Sequence, residues 1–69
     1  MKKQPSPWQH LENYENPIFQ ILVNRDGMSP TAANLAIKEA KHRVQEGEDP
    51  EMILDEEFGL EPDYIFDLI

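Results

Sequence analysis

A chain of 69 residues is long enough for one small domain, and such a domain buries only about 60% of the surface that its unfolded chain exposes. Cysteine is absent, which excludes a disulfide framework and a thiolate metal site. A net charge of −8 at pH 7 disfavours binding to nucleic acid, and the longest aliphatic run, Ile21-Leu22-Val23, is far too short for a membrane span.

In chain order, Met1 to Ser6 reads as a flexible tail, and Lys2-Lys3 leads into Gln4-Pro5-Ser6-Pro7 without the apolar segment of a signal peptide. A cytoplasmic location is the expectation. From Pro7 onward the chain reads as a single small helical domain over 7–69. Trp8, Leu11 and Glu15, with His10 and Tyr14 beside them, have the spacing of a short amphipathic helix over 7–15. Asn16-Pro17 is a cap-and-proline start, and Ile18, Phe19, Ile21, Leu22 and Val23 after it predict a buried helix over 17–25. A strand is the competing reading, but no second strand offers itself as a partner.

The remaining boundaries follow one repeated pattern: Gly27-Met28-Ser29-Pro30, Gly47-Glu48-Asp49-Pro50 and Gly59-Leu60-Glu61-Pro62. In each, glycine suits a left-handed helix stop, a polar residue the next N-cap, and proline the first helical position. Helices are predicted over 30–46, 50–58 and 62–69. In the first, Ala33, Ile37, Ala40 and Val44 form a core-facing stripe with Ala36, while Leu35 points away from it. The predicted core adds Ile18 or Phe19, Leu22, Ile53 or Leu54, Phe58, Ile65 and Leu68, with Ile69 on the stripe of the last two. The fold class is therefore all-α, a compact bundle of four short helices, or five if 7–15 is one.

Charge is divided unevenly. All six Lys and Arg residues precede residue 44, and from Glu46 onward ten acids follow without a Lys or Arg. One reading makes them the solvated faces of short helices; the other makes the last third a docking surface for a basic protein. The residues that would carry such docking are Glu51, Asp55, Glu56, Glu57, Glu61, Asp63, Tyr64 and Phe66. Tyr64 and Phe66 enter because the chain's last seven residues are rich in apolar side chains that either close the core or form a patch rimmed by carboxylates.

Catalytic and metal-binding patterns do not emerge. His10 and His42 lie in different segments with no further ligand at zinc spacing, and the acids do not follow the spacing of a calcium loop. Ser6 and Ser29 precede prolines, as caps do, and the isolated glycines form no phosphate-cradling loop. No catalytic residue, metal or cofactor is expected, and the chain does not read as an enzyme. The 50–58 segment, where a DNA-reading helix would fall, has no Arg, Lys, Asn or Gln for phosphates or base edges, so direct nucleic-acid binding is not expected either.

Arg25-Asp26-Gly27-Met28-Ser29 and Phe58-Gly59-Leu60-Glu61-Pro62-Asp63-Tyr64-Ile65-Phe66-Asp67-Leu68 resemble the RDGMS and FGLEPDYIFDL elements of a group of small acidic uncharacterised proteins of phages, plasmids and bacterial genomes. The resemblance covers residues 17–69 and carries over no functional residue. It implies a mobile-element setting, in which very small acidic proteins often bind and inhibit a larger one. The sequence reading is thus a non-catalytic protein-binding module, an accessory or inhibitor protein whose acidic third meets a basic partner, with no membrane contact. A DNA mimic that inhibits a nucleic-acid-binding protein and an antitoxin-like regulatory partner are the alternatives, and a homodimer is compatible with all three.

Overall fold

The structure is a computed structural model that describes residues 10–69. The tail over 1–6 and the first three residues of the segment 7–15 lie outside the described residues. Helix α1 spans Pro17–Asn24, α2 spans Pro30–Gln45 and α3 spans Pro50–Ile53. Without a break, α3 continues as a π turn over Leu54–Phe58, and a 3₁₀ helix over Pro62–Asp67 ends the chain. Among the described residues there is no strand, so the all-α fold is as the sequence predicts.

Local chemistry explains the starts. Asn16, Ser29 and Asp49 each accept a backbone N–H with the side-chain oxygen, from Ile18 at 2.9 Å, Ala32 at 3.2 Å and Glu51 at 2.9 Å, and a proline follows each. Glu61 departs from the pattern and makes no side-chain cap; a glutamate is not among the short side chains that favour this position.

The stops rest on the glycines, all three of which have positive φ. At Gly47 the closure is a Schellman pair, with Gly47 N–H donating to the Val44 carbonyl and Glu48 N–H to that of Arg43, both at 3.0 Å. The other two close one residue wider, Met28 N–H reaching the Leu22 carbonyl at 3.1 Å and Leu60 N–H that of Leu54 at 3.0 Å.

Ile18, Phe19 and Leu22 of α1 are buried against Ala33, Ile37 and Ala40 of α2, and Ile53, Leu54, Phe58 and Leu68 complete the core. Both members of each either-or pair, Ile18 with Phe19 and Ile53 with Leu54, are inside. Val44 and Ile65, predicted as core, pack on it partly buried.

Three segments differ from the α-helices predicted. Within 50–58 the switch to π geometry brings residues five apart close to one another on the helix surface. Ile53 and Phe58, five apart, are both buried; an α-helix would separate them by about 140°. The predicted helix over 62–69 is 3₁₀ as far as Asp67, and its three-residue period stacks Ile65 over Leu68 toward the core. The same period puts Ile69 with Asp63 and Phe66 on the outer face, leaving Phe66 77% and Ile69 71% exposed. Of the segment 7–15, residues 11–15 form a bend and turns rather than a helix, closed by Tyr14 N–H to Leu11 and Asn16 N–H to Asn13, each at 3.1 Å.

Candidate functional site

The acidic third does not form one continuous face. Glu51 of α3, Asp55 of the π turn and Glu61 converge on a shallow groove of about 460 Å³ whose floor includes Gly59, Leu60 and Pro62. Glu56 is exposed on the π turn. Glu57 faces the other way, lining a groove along α2 with Ala32, Leu35, Ala36 and Glu39. Asp63 and Phe66 share the outer face of the 3₁₀ helix, and Tyr64 is half-buried against the core. Met52 is 55% exposed, an apolar side chain directly following Glu51.

Although no Lys or Arg follows Glu46 in the sequence, some of the ten acids meet cations in space. Two arginines from the preceding sequence reach into the third. Arg43, near the end of α2, binds both carboxylate oxygens of Glu48 at 2.7–3.0 Å, with a further contact at 3.6 Å to Glu57. That fork holds the Glu48 carboxyl below its ordinary range, through the hydrogen bonds first and the charge second. Glu46 lies 3.4 Å from His42, one helical turn earlier. Among the described residues, Glu51, Asp55, Glu56, Glu61 and Asp63 have no cationic partner.

Arg25, just past α1, is the second arginine. Its guanidinium grips both oxygens of Asp26 at 2.8 and 3.0 Å and also donates to the Phe58 carbonyl and, at 3.4 Å, to that of Gly59. The Asp26 carboxyl is lowered mainly by that hydrogen bonding. Nothing in the sequence pattern singles out Arg25, because its carbonyl acceptors are backbone atoms more than thirty residues away.

A second unanticipated cluster ties the stretch before α1 to α2. Asn34 is buried in α2, and its Oδ1 accepts the Asn13 N–H at 2.9 Å while its carbonyl accepts Asn13 Nδ2 at 3.4 Å. Lys41 then donates to Asn13 Oδ1 at 2.8 Å. Asn34 adjoins Ala33 in the core stripe, and a buried amide among alanines is the one signal that could have flagged it. Asn16 adds a long-range tie, its Nδ2 donating to the Asp67 carbonyl at 2.8 Å.

Among the described residues no group of three or more His, Asp or Glu side chains is placed to hold a metal ion, and no helix is long and apolar enough to cross a membrane. Compared with protein-family models, curated proteins and solved structures, the chain matches none. The site must therefore be read from its own chemistry: a shallow, acid-rimmed surface.

Proposed function

We propose that this protein is a non-catalytic binding module that docks on a basic protein surface through its acidic C-terminal third. The observation that carries this reading is the sorting of the acids. Glu48 and Glu57 are engaged by Arg43, whereas Glu51, Asp55, Glu56, Glu61 and Asp63 stay exposed with no cation among the described residues. Solvated carboxylates in such number steer a cationic partner and set orientation, and exposed Met52 and Phe66 offer apolar contact beside them. In a mobile-element setting, such as the resemblance implies, the module would act as an accessory or inhibitor protein in the cytoplasm.

The test is a charge-removal variant that spares the internal ion pairs: Asp55→Asn, Glu56→Gln and Asp63→Asn together, leaving Glu48 and Glu57 to Arg43. A photo-crosslinker at position 66 captures the partner from a bacterial lysate, and the purified partner is then titrated by surface plasmon resonance at rising salt. The partner should be basic, its association should slow in the variant, and the salt dependence should flatten. Capture through position 35 with equal association by the variant would move the contact to α2 and refute the acidic surface as the docking site.

A further inference from the structure

We infer that Arg25 is a positioning residue for this surface: reaching across from the end of α1, its guanidinium holds Leu54–Phe58 in the π register and thereby fixes where Asp55 and Glu56 point. The functional half of this inference rests on the docking role proposed above, and the structural half stands alone.

Every helix leaves its last carbonyls without intrahelical donors, and the acidic third has no Lys or Arg of its own to supply them. Arg25 does so from outside, donating to the carbonyls of Phe58 and Gly59. Asp26 clamps the adjoining Nε–Nη2 edge at 2.8 and 3.0 Å, sharing Nη2 with the Phe58 carbonyl, so the guanidinium is held in the orientation that reaches those acceptors. At the same end the Leu54 carbonyl takes two donors, Gly59 N–H in π fashion and Leu60 N–H at 3.0 Å.

The π and α registers of this run differ by one residue per turn. Reverting to α would rotate its end by about 100°, carrying the Phe58 and Gly59 carbonyls off the Arg25 fork and swinging the acids with them. Arg25 therefore makes its bonds in one of the two arrangements, which is what a side chain needs in order to bias an equilibrium between them. Burial of Phe58 favours the same register, so the latch and the core act together.

The test uses the whole chain with no partner present. Arg25→Gln should accelerate amide exchange at Gly59 and Leu60 by about tenfold or more, as expected for lost charge-assisted hydrogen bonds, and should move the Cα chemical shifts of Leu54–Phe58. Ile37 and Ala40 in α2 should keep their protection. Arg25→Lys, which retains charge but not the fork, should fall between; Asp26→Asn, which leaves the fork unclamped, is a second mild variant to be read in the same way if Arg25→Gln does not fold. Unchanged exchange at Gly59 and Leu60, or acceleration equal to that at Ile37 and Ala40, would overturn the inference. If these amides respond while the acid-removal variant binds normally, the docking reading falls and the register latch stands. If they do not respond and the acid-removal variant loses binding, the latch alone is refuted.

Discussion

Replacing Asn34 by alanine should release the stretch before α1 from the helical body. The side chain supplies the acceptor for the Asn13 N–H at 2.9 Å, and both residues are buried, at 3% and 9% exposure. Alanine leaves that N–H without a partner inside the protein, at a cost of about 1–3 kcal/mol. For a 69-residue chain, total stability at about 0.05–0.15 kcal/mol per residue is about 3–10 kcal/mol, so a substantial share is at stake. Each kcal/mol shifts the melting temperature of a domain this size by about 4–8 °C, and a loss of about 2 kcal/mol should lower it by about 8–16 °C. Circular dichroism gives the global loss, and amide exchange gives the local one, which should be largest at Asn13. Asn13→Ala breaks the same cluster from the other side, removing the acceptor of Lys41 and the donor to the Asn34 carbonyl while leaving its own N–H in place. The double variant should therefore cost less than the two single losses added together. An Asn34→Ala variant that melts with the parent and protects Asn13 equally would show that α2 does not hold this stretch.

Two further outcomes follow from the boundaries and ion pairs. Gly47→Ala meets open space, since no atom beyond its two chain neighbours lies within 4 Å of the added Cβ, yet φ is +103°; the cost is thus backbone strain alone, about 1–2 kcal/mol by thermal melting, and a variant as stable as the parent would mean that the stop can be rebuilt without left-handed backbone. Acid should destabilise through Asp26 and Glu48, whose folded carboxyls are lowered by Arg25 and Arg43 from ordinary values of 3.8 and 4.5. A lowered folded value means that the stabilisation is fully present above the unfolded value and lost as pH falls through the folded one. These two pairs therefore leave the melting temperature unchanged between pH 7 and pH 5 and pull it down below about pH 4.5. Arg43→Gln should shallow that acid limb by removing the share of Glu48, and an unaltered limb would refute the assignment.

The features legible in the sequence were those set by neighbours along the chain. Asn16, Ser29 and Asp49 cap because an oxygen one or two bonds from Cβ reaches the N–H two or three residues on, and α2 stops through the N–H groups of Gly47 and Glu48, which donate to the Val44 and Arg43 carbonyls just behind them. Such closures are complete within about six residues, so composition alone locates them. The π turn and the 3₁₀ helix are of another kind. Ile53, Leu54 and Phe58 are apolar at a spacing that an α-helix also tolerates, and what favours the wider turn is the joint burial of Ile53 and Phe58 together with the Arg25 bonds to the Phe58 and Gly59 carbonyls, none of which a local rule contains. At the end of the chain, a 3.6-residue period puts Ile69 with Leu68 on the core side, whereas the three-residue period puts it with Phe66 in solvent. That difference decides whether an apolar residue belongs to the core or to the surface where docking is proposed.

The charges make the same argument at longer range. Counted along the chain, the ten acids after residue 45 have no Lys or Arg among them; placed in space, Arg43 claims Glu48 and contacts Glu57. Arg25 spends its donors on Asp26 and on backbone carbonyls, reinforcing the acidic segment without neutralising any acid in it. Cations are thus drawn into the third where they join elements, and among the described residues Glu51, Asp55, Glu56, Glu61 and Asp63 are exposed with no cationic partner. Carboxylates that merely covered a helix face would gain stability from a nearby lysine at i+3 or i+4, yet Asp55 and Glu56 are followed at those positions by Phe58, Gly59 and Leu60. A surface kept free of internal counter-charge retains its full field for an external one, and that is the physical ground on which the docking proposal rests.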